Sequence, residues 1–196
     1  MTVATPLILA FGDSLVAGYG LAPTDSFPTQ LERRLRSEYP QAQVLNAGVS
    51  GNTTADALGR LPRVLSALPA RPDLAVVQIG ANDVLRGIAP DRTRANLDAM
   101  LTEFARCGIP VLLATLEPPA FLRARTSAYL GIHAEVAARH GAAIASFFPA
   151  GVLGRADMAL FDRVHPNARA IAAVVTHMLP AIEQALRQRS GGAMAA

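Results

Sequence analysis

Short apolar runs alternate with stretches of helical spacing along almost the whole chain. Residues 7–11 form a continuous apolar run, and similar runs recur at 44–45, 74–79, 111–115 and about 143–145, the pattern expected of strands covered on both faces. Between them, residues 27–39, 55–65, 90–106, 127–140 and 167–187 place apolar side chains at three- and four-residue spacing, as helices with one buried side do. Proline stands at or near the start of three of these segments (Pro28, Pro90 and Pro166), where its missing N–H costs nothing. Gly108 and Gly141 follow two others, and glycine suits the left-handed residue that closes a helix.

Regular alternation of strand and helix predicts a parallel sheet sandwiched by helices. The expected fold is a three-layer α/β/α, flavodoxin-like domain whose five strands lie in the order 2-1-3-4-5. One such domain is expected over residues 1–189, with the small-residue stretch 190–196 as a flexible tail. In open parallel sheets ligands bind beyond the carboxyl ends of the strands. Attention therefore falls on Gly12-Asp13-Ser14 after the first strand, residues 46–53 after the second, Gly80-Ala81-Asn82-Asp83 after the third, and the polar group 162–167 before the last helix.

Composition narrows the function classes. A chain of 196 residues that is 51% hydrophobic can build a sizeable core; a domain of this length buries roughly 70% of its unfolded surface. Pro, Gly or charge interrupts every apolar run before the ~18 to 20 residues that a membrane helix needs, so no integral membrane association is expected. The net charge is only +3 and every basic residue is an arginine. The densest cluster, Arg33, Arg34 and Arg36, has no interleaved aromatics for stacking bases, which argues against nucleic acid as a partner. Cys107 is the single cysteine, so neither an internal disulfide nor a cysteine metal cluster can form. Residues 2–11 lack the basic start and long apolar centre of a secretory signal. A cytoplasmic location is expected for the chain as it stands, or a periplasmic or secreted one if a leader has been removed.

Serine becomes a useful nucleophile only when a base takes its proton and a third group holds that base in the right tautomer. Of the four histidines, His133, His140 and His177 fall inside helical segments with no acidic neighbour at suggestive spacing, and read as packed or surface residues. His165 lies in a loop, precedes a proline that favours extended backbone, and follows Asp162 by three residues. A carboxylate there can accept the Nδ1 hydrogen and leave Nε2 facing Ser14. The same loop is also consistent with Asp162 merely capping the last helix beside an exposed His165. Acyl transfer further needs donors for the oxyanion. The backbone amides of Ser14 and Gly51 and the side chain of Asn82 are candidates, although Asn82 alone also fits a plain turn residue. A competing nucleophile is Ser50, because Gly48-Val49-Ser50-Gly51-Asn52 is one glycine short of a nucleophile elbow.

Taken in order, these pieces resemble the SGNH (GDSL-type) hydrolase family, and especially its small bacterial arylesterase, thioesterase and lysophospholipase branch. Gly12-Asp13-Ser14-Leu15 resembles the first family block, Gly51 the second-block glycine, Asn82 the third-block asparagine, and Asp162 with His165 the closing D-x-x-H-P block. The resemblance implies a Ser14, His165, Asp162 triad, an oxyanion hole of Ser14, Gly51 and Asn82, and a small-molecule ester or thioester substrate. It requires no cofactor and no metal. It also implies a substrate pocket drawn from Asp13, Val84, Leu85, Pro118 and Phe121; the segment 117–129 lacks the polar residue that relatives often carry after its proline. Two alternatives remain beside it. One is an acyltransferase on the same site. The other is a flavodoxin-like ligand-binding module in which Gly12, Gly18 and Gly20 cradle a phosphate, although the chain has neither G-x-G-x-x-G nor a lysine for a phosphate loop. Nothing in the sequence sets the oligomeric state.

Overall fold

Ile8 and Ala10 of the first strand join one apolar cluster and Leu9 and Phe11 the other, and all four are fully buried. That alternation places the strand at the centre of a two-sided sheet. The computed structural model describes residues 5–116 and 126–192. Five strands, β1 (Leu7–Gly12), β2 (Gln43–Gly48), β3 (Leu74–Gln78), β4 (Val111–Thr115) and β5 (Ala143–Ser146), form one sheet in the order β2-β1-β3-β4-β5. Every neighbouring pair is parallel. This is the expected fold and strand order.

Helices α2 (Phe27–Leu35) and α7 (Ala168–Gly192) cover one face, burying Phe27, Leu31, Ile171, Val174 and Met178 against Ile8, Val76 and Leu112. Helices α3 (Thr54–Ser66), α5 (Pro90–Arg106) and α6 (Ile132–His140) cover the other, with Leu61, Leu97, Phe104 and Val136 against Leu9, Val77 and Leu113. Two short helices, α1 (Ser14–Ala17) and α4 (Ala81–Arg86), start where β1 and β3 end. Neither is long enough to show a periodicity, and the sequence pattern does not reveal them. Among the described residues no helix is long and apolar enough to cross a membrane.

Four expectations need correction. The two edge strands are not buried along both faces: Gln43 and Asn46 of β2 and Ile144 of β5 are exposed, Val44 is buried, and their other residues are partly buried. The first long helix stops at Leu35 rather than at residue 39, and the chain continues in turns up to Pro40, which disfavours helical backbone before it. The segment 127–140 is split by Gly131 at φ 82° into a 3₁₀ turn, Ser127–Tyr129, and α6. Finally, α7 runs to Gly192, beyond the end expected at residue 187. Gly108 and Gly141 do take the left-handed conformation at helix ends (φ 63° and 61°).

Candidate active site

Gly12 ends β1 against β3 so closely that a Cβ there would sit 2.0 Å from the Gln78 carbonyl oxygen, a position only glycine can occupy. The chain then turns into α1, with Asp13 as its N-cap: Asp13 Oδ1 accepts the Leu15 N–H at 3.0 Å. Ser14 is the first residue of that helix, and its N–H is among the orphan donors of a helix start. Asn46 at the end of β2 anchors the far side of the turn, donating to the Ala17 carbonyl at 3.3 Å and accepting the Gly48 N–H at 3.0 Å.

Across from Ser14 lies the loop between Met158 and Asn167. It is closed at both ends by backbone: Leu160 donates to the His165 carbonyl at 2.8 Å and Asn167 to that of Met158 at 2.9 Å. Arg163, at φ 58°, is the one non-glycine residue with positive φ among the described residues. That conformation costs of order 1–2 kcal/mol. Asp162 offsets it, since its Oδ1 accepts the backbone N–H groups of Val164 (2.9 Å) and His165 (3.0 Å). The other carboxylate oxygen, Oδ2, lies 2.6 Å from His165 Nδ1. His165 Nε2 is in turn 3.1 Å from Ser14 Oγ. Ser14, His165 and Asp162 are thus brought together in hydrogen-bond sequence. The donors converging on Asp162, first the His165 and Val164 amides and then the His165 ring, hold its carboxyl down at about 2.

The second and third loops meet beside the serine. Gly51 adopts φ 81°, and its carbonyl accepts Arg86 at 2.8 Å. Asn82, in the first turn of α4, donates one amide hydrogen to the Asn52 carbonyl at 2.9 Å. An amide carries two hydrogens, so one donor remains. Below them Asp83 is fully buried and accepts the Thr54 N–H (2.8 Å), the Thr54 hydroxyl (2.5 Å) and the Thr93 hydroxyl (3.0 Å). It clamps the start of α3 to α4 and α5, and so fixes Asn52 relative to Asn82. Ser50 is exposed, and among the described residues no histidine is hydrogen-bonded to it.

Sequence reasoning missed Arg60. Its guanidinium stacks on the Phe11 ring (4.2 Å to the centroid) and donates to the Asn52 side chain (2.6 Å) and the Gly12 carbonyl (2.9 Å). It therefore ties β1 to the second loop. An arginine in mid-helix gives no local signal of such a role. The other histidines have partners the spacing could not disclose. His133 packs its ring on Gly80 and bonds the Ile79 carbonyl (2.9 Å), and its burial lowers its pKa. His140 bonds Asp98 of the neighbouring α5 at 3.0 Å, and His177 bonds Ser146 at 2.8 Å.

Of the pocket residues expected from the sequence, Val84 is half-buried and Leu85 exposed on α4. Pro118 and Phe121 lie outside the described residues. Asp13 is wholly buried, its side chain turned inward to cap α1. Desolvation, opposed by the Leu15 N–H and the nearby His165, pushes its carboxyl up to about 6. Because this lies above the unfolded-state value, the folded protein binds the extra proton, and stability falls as pH rises from about 4 through 6. The difference corresponds to roughly 3 kcal/mol at neutral pH. Asp13→Asn keeps an acceptor for Leu15 and removes the titration. The variant is expected to be more stable than the parent at pH 8 by up to about 3 kcal/mol, and to converge with it near pH 4. Urea unfolding at the two pH values measures this, and parallel stability curves for the two proteins would refute it.

Comparison with known proteins places this geometry in context. The model of the GDSL-like lipase/acylhydrolase family matches residues 10–173. The chain is similar to esterase TesA of Pseudomonas aeruginosa, 33% identical over 184 residues, covering 93% of this chain and 90% of that protein. It is similar also to thioesterase 1/protease 1/lysophospholipase L1 of Escherichia coli K12, 30% identical over 165 residues, covering 84% and 77% respectively. Among solved structures, AlinE4, an SGNH-hydrolase family esterase, matches with a TM-score of 0.75 at 42% identity, over 93% of this chain and 97% of that one.

Proposed function

The chain belongs to the GDSL-like lipase/acylhydrolase family and is a serine hydrolase of ester bonds, and from that premise we propose that Ser14, His165 and Asp162 are its nucleophile, base and orienting acid. The observation that carries this reading is the unbroken sequence of hydrogen bonds from Ser14 Oγ through His165 to Asp162, at 3.1 and 2.6 Å. The binding-module alternative falls with membership of an enzyme family. The phosphate-cradle glycines have other roles, with Gly12 packed on β3 and Gly18 capping α1.

His165 Nε2 takes the Ser14 proton as Oγ attacks the carbonyl carbon, and Asp162 holds the proton on Nδ1 and balances the imidazolium. The amides of Ser14 and Gly51 and the free hydrogen of Asn82 receive the oxyanion. Collapse of the tetrahedral intermediate expels the alcohol or thiol, which leaves with the proton from His165, and the acyl group stays on Ser14. Water, deprotonated by the same histidine, releases the acid. The half-buried Val84 and exposed Leu85 on α4 fit acyl or aryl groups of small to medium size. The E. coli relative is named a thioesterase and lysophospholipase, which adds acyl thioesters and lysophospholipids to the substrates to be tried.

A chain-length series of p-nitrophenyl esters and acyl thioesters tests the assignment. Hydrolysis with a burst of leaving group equal to the enzyme concentration is expected for the preferred ester, because the acyl-enzyme accumulates. A complete lack of turnover on every ester and thioester would sink it. Within that series Asn82→Ala is expected to lose roughly 10²- to 10³-fold in kcat, about 3 to 4 kcal/mol, with little change in KM. Unchanged turnover would remove Asn82 from the oxyanion hole.

A further inference from the structure

Directly after α1, the Tyr19 ring lies over the His165 imidazole, with centroids 4.4 Å apart and planes inclined at 38°. It is the one aromatic ring stacked on a histidine among the described residues, and its side chain is half exposed. A large apolar side chain left half in water is not placed by core packing. Its backbone is held from both sides. The Tyr19 N–H donates to the Ser14 carbonyl at 3.1 Å. Gly18 and Gly20, at φ 81° and 71°, flank it, and a Cβ at either would lie 2.6 Å from Ser26 or Leu160. Leu160 is the residue whose N–H holds the His165 carbonyl. Gly20 thus packs the turn carrying Tyr19 against Leu160 of the loop carrying His165, and the other end of the turn is tied to the residue of the nucleophile.

We propose that Tyr19 is a positioning residue for the base: its ring keeps the His165 imidazole aimed at Ser14, and its π face stabilises the imidazolium formed during proton transfer. The inference rests on the assignment of Ser14 and His165 above. The imidazole must be neutral to accept a proton. It is positive only while the tetrahedral intermediate exists. An aromatic face attracts the cation and not the neutral ring to the same degree, so the contact strengthens on going to the transition state and acts on kcat rather than on KM. The exposed edge of the pair limits the effect to about two- to five-fold for the charge contribution. Loss of the ring also frees the imidazole to rotate.

Three substitutions separate the contributions. Tyr19→Phe keeps the ring and is expected to retain kcat to within about two-fold. Tyr19→Leu keeps much of the bulk without the π face, and kcat is expected to fall on the order of ten-fold with KM nearly unchanged. Phenylalanines bearing one, two and three ring fluorines, placed at Tyr19, keep the shape while draining the negative face, so kcat should fall stepwise along the series. Wild-type kcat in Tyr19→Leu, or a flat fluorine series, would overturn the proposal. Thermal melts confirm that each variant is folded. His165→Ala is measured alongside: if it keeps wild-type turnover, the base assignment itself has failed. If it is inactive while the Tyr19 variants are not affected, the failure belongs to Tyr19 alone.

Discussion

Replacing Ser14 by alanine is expected to lower turnover of any hydrolysed ester by on the order of 10⁴- to 10⁶-fold. The change removes one oxygen whose described side-chain contact is His165 Nε2, so the fold should not notice it. The N-cap of α1 is made by Asp13, not by the serine, and the Ser14 amide remains in place as a donor. Substrate binding and the oxyanion donors should survive, and KM should stay within a few-fold of wild type. What disappears is the acyl-enzyme, and with it the burst. Residual catalysis from the remaining donors is expected, since oxyanion stabilisation and binding persist without the nucleophile. Ser50→Ala, made in parallel, should be silent. If Ser14→Ala retains activity and Ser50→Ala loses it, the near-elbow at residues 48–52 is the true nucleophile loop.

The architecture was legible because it is written in long periodic signals. Five apolar runs and five helical segments suffice to set sheet type, and chain order restricts the strand arrangement. Candidate site residues stand out for a different reason: Ser14 and Asn82 lie within two residues of a strand end or a helix start, and Gly51, Asp162 and His165 lie in the loops that lead into α3 and α7, where polar residues stand out against apolar neighbours. What escaped notice acts across the sequence. Arg60 reaches Gly12 and Asn52 from the middle of α3. Asp83 gathers Thr54 and Thr93 from two helices. Tyr19 looks like an ordinary loop aromatic until the fold brings it to His165, far along the chain. Asn52 illustrates the limit in one residue. In sequence it merely spoils a glycine motif, whereas in the structure it is the joint at which Arg60 and Asn82 meet. At Asp13 a carboxylate beside the candidate nucleophile can face outward or cap the helix, and the capping bond to Leu15 is disclosed only by the backbone path.

Asp162→Asn is expected to lower kcat on the order of 10⁴-fold while leaving fold and KM close to wild type. The reason is the division of labour between the two carboxylate oxygens. Oδ1 accepts two backbone N–H groups, from Val164 and His165, and Oδ2 accepts the His165 Nδ1 hydrogen. An asparagine has one acceptor and one donor group in the same positions. Turning its NH₂ toward the two amides would set donors against donors and break the bonds that hold Arg163 in its left-handed conformation. The oxygen therefore stays on the backbone, and the NH₂ faces Nδ1. That nitrogen must then accept, so the ring hydrogen moves to Nε2, which presents a hydrogen to Ser14 where the mechanism needs a lone pair. The imidazolium also loses its counter-charge. The loop survives because its backbone bonds survive, which separates this variant from one that merely unfolds the site. Nitrogen-15 chemical shifts of the His165 ring should report the hydrogen on Nδ1 in the parent and on Nε2 in the variant. A variant with the parent's tautomer and full turnover would remove Asp162 from the orienting role and return it to the helix-capping one.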